Sequence, residues 1–350
     1  TTTITFAVKR VSMGKKRWKT VAISVATLLL LSLLVFWVFR DHYQEILQNI
    51  RAVSPEGLLL LLGVGFLYQM FESAACFVLV RRRLPKFSFR QAAEVVFLGV
   101  FGNVSTFAVG SVPLQSYYLH RCGLMAGSGV GTMTLEYVFH KSSVLIYSTI
   151  MLLLQGRWLG STGSSLSRYM MLGYGICAVI IAVLILACTW EKVQRLVAWL
   201  IGRLPDTGKW DSRKRLWKEN LAALYRESQQ LLRDRPCIRK VLALNSLKLF
   251  CLYSIPYLAM KMLGISSPSF WHVQMLTALM FLISNALPNV AGVGPIEFAF
   301  IMIFSNYMEY AQASSALILY RIATFFFPFL LSIFIFLHVQ KRILDDPQGT

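Results

Sequence analysis

The chain has 350 residues, of which 56% are hydrophobic and only 15% are charged, and its mean hydropathy is +0.58. A soluble globular domain of this length carries more charge and less apolar sequence, so the composition excludes that class. The formal net charge of +19 reflects 35 Lys and Arg against 16 Asp and Glu, and no nucleic-acid recognition motif accompanies it. The sequence therefore predicts a membrane protein that crosses the bilayer several times.

Six apolar runs are long enough to cross a bilayer as an α-helix, which takes about 18 residues or more. They are 20–39, 57–80, 131–154, 169–190, 241–263 and 311–338. The apolar core of the first run is too long for a cleaved signal peptide, so we expect a retained anchor there.

Basic residues are concentrated in a few segments between these runs. Thirteen of the 35 lie between residues 191 and 240, six precede the first run and five follow the second. Because cytoplasmic segments are enriched in Lys and Arg, we predict that both termini and the segment 191–240 are cytoplasmic. Within that segment, 215–233 has the pattern of a basic amphipathic helix, whose expected partner is an anionic membrane surface.

Two further segments are too short for a pair of full transmembrane helices. The predicted spans on either side nevertheless require the chain to enter the membrane and return to the same face within each segment. Residues 91–121 must open from the cytoplasmic face, and residues 270–304 from the outer face. The 31 residues of the first segment cannot form two helices of about 20 residues each. Each segment is therefore predicted to be a re-entrant hairpin or two short spans.

The two predicted hairpins carry related motifs 182 residues apart. The aligned positions are Asn103 with Asn285, Gly110 with Gly292, Pro113 with Pro295, and Gln115 with Glu297. Gly and Pro interrupt helices and free backbone polar groups, which survive at membrane depth only in a protein-lined or water-lined cavity. Interrupted segments at matching places in two halves are typical of a transporter with a midplane binding site.

These observations predict one all-α membrane domain in an inverted-repeat arrangement. It comprises about six full transmembrane helices and the two hairpins. Its parts are the domain 1–340, a first half 20–190, the basic segment 191–240, a second half 241–340 and a cytoplasmic tail 341–350.

Ionisable side chains inside the predicted spans are the main candidates for function, because a charge there is costly and usually faces a cavity or a partner. Glu136, His140 and Lys141 lie in the third span, Glu297 follows the second motif, and Arg321 lies in the last span. One reading pairs Glu136 with Lys141 or His140, and Glu297 with Arg321, to hold helices together.

The other reading makes some of these residues part of a binding site. Arg121 and Lys141 are candidates for binding an anionic group, since guanidinium binds phosphate in a bidentate manner. Glu72 in the second span has no evident partner, and Lys248 lies in the fifth. The cysteines and histidines show no metal-ligand spacing, and we find no phosphate-binding loop or nucleophile motif. No metal and no cofactor are predicted.

The motifs resemble those of a known family. The Asn, Gly and Pro of the first motif, followed by Gly123-Leu124 and Leu135-Glu136, are similar to the first motif of the lysylphosphatidylglycerol synthase transmembrane-region family. Leu287-Pro288 with Gly292, Gly294 and Glu297 resembles its second motif, and Arg321 matches the basic residue of its last helix. The resemblance covers roughly residues 20–340.

This family includes the flippase domain of the multiple peptide resistance factor, and the resemblance implies a stand-alone flippase domain without the aminoacyl-transferase domain. We therefore predict a lipid transporter, not an enzyme, in the inner membrane of a bacterial or archaeal cell. Its expected substrate has an anionic head group, such as an aminoacylated phospholipid or a polyprenyl-phosphate-linked sugar. The predicted substrate-binding residues are Asn103, Gly110, Gln115, Arg121, Glu136, Lys141, Asn285, Gly292, Gly294, Glu297 and Arg321.

Two alternatives stay open at this point. A membrane-embedded transferase would use Glu297 or Glu136 as a general base and would change the lipid covalently. A non-transporting accessory subunit of a lipid or glycan pathway would instead recruit or stabilise a neighbouring enzyme. Further partners that the sequence allows are a second copy of the chain or such a pathway enzyme.

Overall fold

A computed structural model describes residues 43–106, 110–161, 165–203, 209–286 and 294–345. Throughout these ranges the regular structure is helical. The helices are α1 (Tyr43–Arg51), α2 (Pro55–Arg81), α3 (Phe89–Ser105), α4 (Ser111–Arg121), α5 (Ala126–Ser161), α6 (Ser165–Thr189), α7 (Glu191–Gly202), α8 (Lys209–Leu232), α9 (Arg235–Met262), α10 (Phe270–Ala286), α11 (Pro295–Phe304), α12 (Tyr310–Arg321), a π-helical segment (Ile322–Phe326) and α13 (Phe327–Asp345).

Four of the six predicted spans coincide with helices that are long and apolar enough to cross a membrane. These stretches are Pro55–Arg81, Gly127–Leu159, Arg235–Met262 and Tyr310–Ile343. The predicted span 169–190 lies in α6, whose described apolar part, Met171–Val183, is shorter. The predicted span 20–39 lies outside the described residues.

Local sequence signals explain where several helices begin. Ser54 caps α2 with its side chain, and Pro55 occupies the first turn, where its missing N–H costs nothing. Ser88 and Gln91 form a reciprocal capping box at the start of α3. Asp234 caps α9 in the same manner as Ser54 caps α2.

Nine of the helices, α2 to α5 and α9 to α13, fall into two series with nearly the same lengths and spacing. When the bounds of α2 to α5 are moved along the chain by 182 residues, they coincide with those of the later helices to within two residues. The matched helices are α2 with α9, α3 with α10, α4 with α11, and α5 with the stretch from α12 to α13. The offset of 182 residues that relates the two motifs therefore also relates the helices around them.

The first helices of the two series, α2 and α9, pack against each other, and α9 also packs against α5 and α10. The largest buried apolar cluster surrounds the second hairpin and includes Tyr253, Leu279, Phe300 and Leu317. Large apolar side chains such as Leu153 are exposed on the outside. This distribution is typical of a helical bundle whose outer surface faces lipid.

The basic segment 191–240 differs from the prediction of a loop with a single helix. It contains two helices, α7 and α8, and the predicted amphipathic helix 215–233 coincides with most of α8. Glu227, Ser228 and Leu231 of α8 are buried, and α8 packs against α5. One side of the helix is therefore covered by protein.

The last predicted span is not a continuous α-helix. A π-helical segment, Ile322–Phe326, follows Arg321 directly. Gly65 of α2 lies against this segment, and a Cβ atom at Gly65 would overlap the carbonyl group of Ala323. Single π-turns inside α-helices often occur at functional sites, and this one adjoins a predicted site residue.

Candidate functional site

Two cationic side chains from other helices reach the second hairpin, one on each side of its interruption. Lys141 Nζ of α5 donates a hydrogen bond to Asn285 Oδ1 at the end of α10, at 2.5 Å. Arg321 Nη2 of α12 forms an ion pair with Glu297 Oε1 in the first turn of α11, also at 2.5 Å. The predicted site residue Gly292 falls outside the described residues.

The start of α11 explains the position of Glu297. Gly294 precedes the helix with a φ of +104°, in the left-handed region that favours glycine. Pro295 follows as the first helical residue, and the Gly294 N–H donates to Glu297 Oε2 at 2.6 Å. Glu297 therefore accepts from the free backbone donor at the helix start with one oxygen and contacts Arg321 with the other.

The Glu297–Arg321 pair, one of the two readings that the sequence left open, is largely shielded from solvent. The side chains are 15% and 10% exposed, respectively. Charges interact more strongly in such a setting than at a surface, and each depends on the other to offset its desolvation. The pair links α11 to α12 immediately before the π-helical segment.

The predicted pairing of Glu136 with Lys141 or His140 is wrong. Lys141 donates to Asn285 instead, and its ammonium also lies 5.1 Å from the ring centre of Tyr137. Glu136 is buried, and its Oε1 atom has no hydrogen-bond partner among the described residues. Since Glu136 and Lys141 are five residues apart on α5, they point in different directions.

Sequence reasoning missed the ion pair between Glu72 of α2 and Lys248 of α9. The two residues are 176 positions apart, and no local pattern joins them. One signal was available, because Glu72 and Lys248 carry opposite charges and each lies near the middle of the first helix of its series. The side chains of Lys248 and Glu72 are 1% and 23% exposed, respectively, so the ammonium group is buried and the carboxylate is partly exposed.

The predicted residues of the first hairpin form a separate group. Gly110 caps α4, and its N–H donates to Thr106 Oγ1 at 2.5 Å. Gln115 Nε2 donates to the carbonyl oxygen of Val95 at 3.3 Å. Asn103 is half-buried in α3, and Arg121 is half-buried at the end of α4. The structure thus joins Lys141, Asn285, Glu297 and Arg321 around the second hairpin and keeps Gly110 and Gln115 within the first.

Glu94 anchors the base of the first hairpin. Its carboxylate accepts from Arg342 of α13 at 2.7 and 3.1 Å, from Arg90 at 3.2 Å, and from the hydroxyl of Tyr118. These contacts tie both helices of the first hairpin to the last helix of the chain.

Within the described ranges, no three His, Cys, Asp or Glu side chains come together as metal ligands would. The cationic groups of the site contact an amide oxygen, that of Asn285, and a carboxylate oxygen, that of Glu297. Such groups are suited to binding an anion, because Lys and Arg donate charge-assisted hydrogen bonds to phosphate and carboxylate oxygens.

The long apolar helices, the interrupted hairpin and the buried ion pairs define a multi-pass helical membrane protein with a polar site inside the bundle. The chain belongs to the lysylphosphatidylglycerol synthase TM region family, whose family model matches residues 21–332. That range contains every predicted site residue. Membership places the protein among membrane proteins of lipid metabolism or transport. The search of curated proteins found no match.

Proposed function

We propose that the protein moves a lipid with an anionic, phosphate-bearing head group between the two leaflets of the membrane. The observation that carries this proposal is the pair of cationic contacts at the second hairpin. Lys141 and Arg321 reach the two flanks of an interrupted segment from two different helices.

The start of α11 adds to the attraction for an anion. A helix N-terminus presents free backbone N–H groups and the positive end of the helix dipole. Glu297 now occupies one such N–H group, that of Gly294, and neutralises Arg321. A phosphate head group would replace the Glu297 carboxylate at Arg321, and its release would let the ion pair form again.

The two series of helices support the inverted-repeat arrangement. Helices α3 and α10 have 17 residues each, and α4 and α11 have 11 and 10. A helix of 17 residues is about 25 Å long, whereas the hydrocarbon core is about 30 Å thick. Two hairpins of this size that enter from opposite faces would both extend past the midplane and overlap there, at the depth where such transporters bind their substrates.

The exposed apolar surface is the route proposed for the lipid tails. The head group would occupy the polar site while the chains remain in the bilayer. In this arrangement both termini lie in the cytoplasm of a bacterial or archaeal cell and the protein resides in the inner membrane. The uncovered side of α8, which includes the exposed Trp217, would face the anionic leaflet.

Leaflet exchange in proteoliposomes tests the proposal, with fluorescent anionic phospholipids and short-chain polyprenyl-phosphate sugars as substrates. We expect exchange by the wild type and a loss of about tenfold or more in Arg321→Ala, because one charge-assisted hydrogen bond contributes about 1.5–3 kcal/mol. Glu191→Gln is the matched control, since Glu191 forms an exposed ion pair with Arg195. It should leave exchange unchanged.

Mass spectrometry of the same lipids separates transport from transfer. A transporter leaves the lipids covalently unchanged, so a new lipid product would replace the proposal with a transferase. If the folded wild type exchanges none of these lipids and modifies none, transport is wrong for these substrates. The accessory-subunit reading would then be preferred.

A further inference from the structure

Helix α5 carries a row of polar side chains on one face. The row consists of Thr132, Glu136, His140 and Ser143, at spacings of four, four and three residues, which place them above one another on a helix. Each has a buried polar atom without a hydrogen-bond partner among the described residues. Buried polar atoms normally have a hydrogen-bond partner, so four neighbouring buried atoms without one need an explanation.

Other hydroxyl groups of the same helix behave in the ordinary way. Thr134, Ser142 and Ser148 donate to the carbonyl oxygen four residues earlier at 2.7–2.8 Å. Thr132 and Ser143 are only 3% and 2% exposed, yet their hydroxyl groups make no such bond. They are therefore available to a group that runs along this face of the helix.

The carboxyl group in the row lies beside an ion pair that is already complete. Lys248 of α9 pairs with Glu72 of α2, and Glu136 lies within electrostatic reach of both. Glu136 is 6% exposed. Two carboxyl groups thus lie within electrostatic reach of one buried ammonium group.

The remaining neighbours of Glu136 do not supply a second cation. Tyr68 and Cys76 of α2 lie in its electrostatic range, and Lys141 on its own helix is bound to Asn285. The described parts of α4, α6, α8 and α10, which also pack on α5, add no charged group that acts on it. An ionised Glu136 would be a buried charge without a partner of its own, which is strongly unfavourable.

We infer that Glu136 is a proton-binding site inside the membrane, and that Thr132, His140 and Ser143 form the path by which protons reach and leave it. Neighbouring groups in the row are about 6 Å apart along the helix axis, a distance that one bridging water spans. The whole row covers about 16 Å, roughly half of the hydrocarbon core.

The position of the site suggests how a proton would act on the fold. When Glu136 releases its proton to water, it becomes a second anion for Lys248 and competes with Glu72. Glu72 and Lys248 join α2 and α9, the first helices of the two series. This part of the inference rests on the proposed function, because a release of the proton that weakens the α2–α9 contact would couple proton movement to lipid movement.

Infrared spectroscopy of the purified protein in lipid nanodiscs tests the proton site without any transport assay. At neutral pH we expect the carbonyl stretch of a neutral carboxylic acid in the wild type and its loss in Glu136→Gln. Glu297→Gln is the control and should keep the band, because the Glu297 carboxylate is paired with Arg321. Absence of the band in the wild type, or its survival in Glu136→Gln, overturns the proposal.

A second variant covers the case in which Glu136→Gln fails to fold. In Glu72→Gln, Lys248 loses its carboxylate partner, and Glu136 should ionise to replace it. The band should therefore disappear although Glu136 is unchanged. A band that persists in folded Glu72→Gln contradicts the shared-lysine arrangement.

The path is tested by the rate at which the same band shifts in heavy water. Thr132→Val and Ser143→Ala should slow the exchange of the Glu136 proton. Thr134→Val and Ser142→Ala are matched controls from the same helix, because their hydroxyl groups are engaged by the backbone. Equal rates in all four variants overturn the path.

Proteoliposomes with an imposed pH gradient test the coupling. We expect the gradient to drive lipid exchange by the wild type and to have no effect on Glu136→Gln. If the infrared band behaves as expected but no lipid is exchanged, the proposed function is wrong and the proton site stands. If lipid is exchanged but the band is absent, the proton site is wrong and transport stands.

Discussion

The two hairpins have helices of nearly equal length but satisfy their polar groups in opposite ways. In the first hairpin, Thr106 accepts from the Gly110 N–H, and Gln115 donates to a carbonyl of α3. In the second hairpin, Lys141 and Arg321 come from helices outside the hairpin. The first hairpin therefore forms these hydrogen bonds within itself, whereas the second hairpin forms its contacts with side chains of other helices.

One pair of matched positions accounts for much of this difference. Gln115 and Glu297 occupy equivalent places and have the same shape, but only Glu297 carries a charge. A neutral amide can be satisfied by a nearby carbonyl oxygen. A buried carboxylate needs a cation, and Arg321 supplies it from α12. A single charge therefore makes the second hairpin dependent on the rest of the bundle.

The largest expected effect is that of Arg321→Ala at the second hairpin. Removal of one partner from a buried ion pair leaves the other charge uncompensated, so we expect a loss of about 3–5 kcal/mol in the free energy of unfolding. Chemical denaturation in detergent micelles measures it. Arg342→Ala at the first hairpin is the control, and its effect should be smaller, because Arg342 is 44% exposed and Glu94 keeps Arg90. Equal losses in the two variants would contradict the difference between the hairpins.

The next effect comes from Gln115→Glu, which gives the first hairpin the residue of the second. The new carboxylate would face the carbonyl oxygen of Val95, to which Gln115 now donates. Since the carboxylate and the carbonyl oxygen are both acceptors, the hydrogen bond is lost and the new charge is left without a partner. We expect a destabilisation of about 1–3 kcal/mol. Denaturation of Gln115→Met, which loses the bond without adding charge, should show a smaller effect. An unchanged stability of Gln115→Glu would mean that the charge does not distinguish the hairpins.

A similar or smaller loss is expected for Gly102→Ala, which tests how closely the first hairpin is packed. A Cβ atom at Gly102 would lie 2.8 Å from the carbonyl oxygen of Gly110, so α3 and the start of α4 would have to separate. Overpacking of this kind costs about 1–3 kcal/mol. Gly156→Ala is the matched control, because nothing lies within 4 Å of the added atom and Ala favours a helix by about 1 kcal/mol. Thermal unfolding should shift in opposite directions in the two variants.

The sequence predicts the long helices well, because a run of apolar residues reports directly on the need to cross hydrocarbon. It underestimates α5, which was predicted over 131–154 and extends over Ala126–Ser161, since a helix can continue beyond its apolar part. It misses α7, because the high charge of the segment 191–240 hides a helix of 12 residues. The π-helical segment has the sequence IATFF, which does not differ from ordinary apolar helix.

Residues of the candidate site could be predicted where the local sequence identifies them, but most contacts between distant helices could not. The Glu297–Arg321 pair was one of two readings that the sequence left open, because both are charged residues inside predicted membrane segments. Asn285 was identified from the motif, but its contact with Lys141 was not. Which faces of two distant helices meet depends on packing over the whole bundle, and the sequence pattern does not contain that information. The pair of Glu72 with Lys248 was missed for the same reason.

The smallest effect concerns the start of each hairpin. Ser88 caps α3 through its side chain and shares a capping box with Gln91, so Ser88→Ala should lower the stability by about 1 kcal/mol. Ser269 precedes α10 at nearly the equivalent place, but its hydroxyl group contacts the ring of His272 at 3.0 Å. Ser269→Ala should therefore cost less than Ser88→Ala in the same thermal unfolding experiment. The opposite order would show that the first hairpin does not depend on its local cap, and the contrast between a self-contained and a supported hairpin would then apply only near their interruptions.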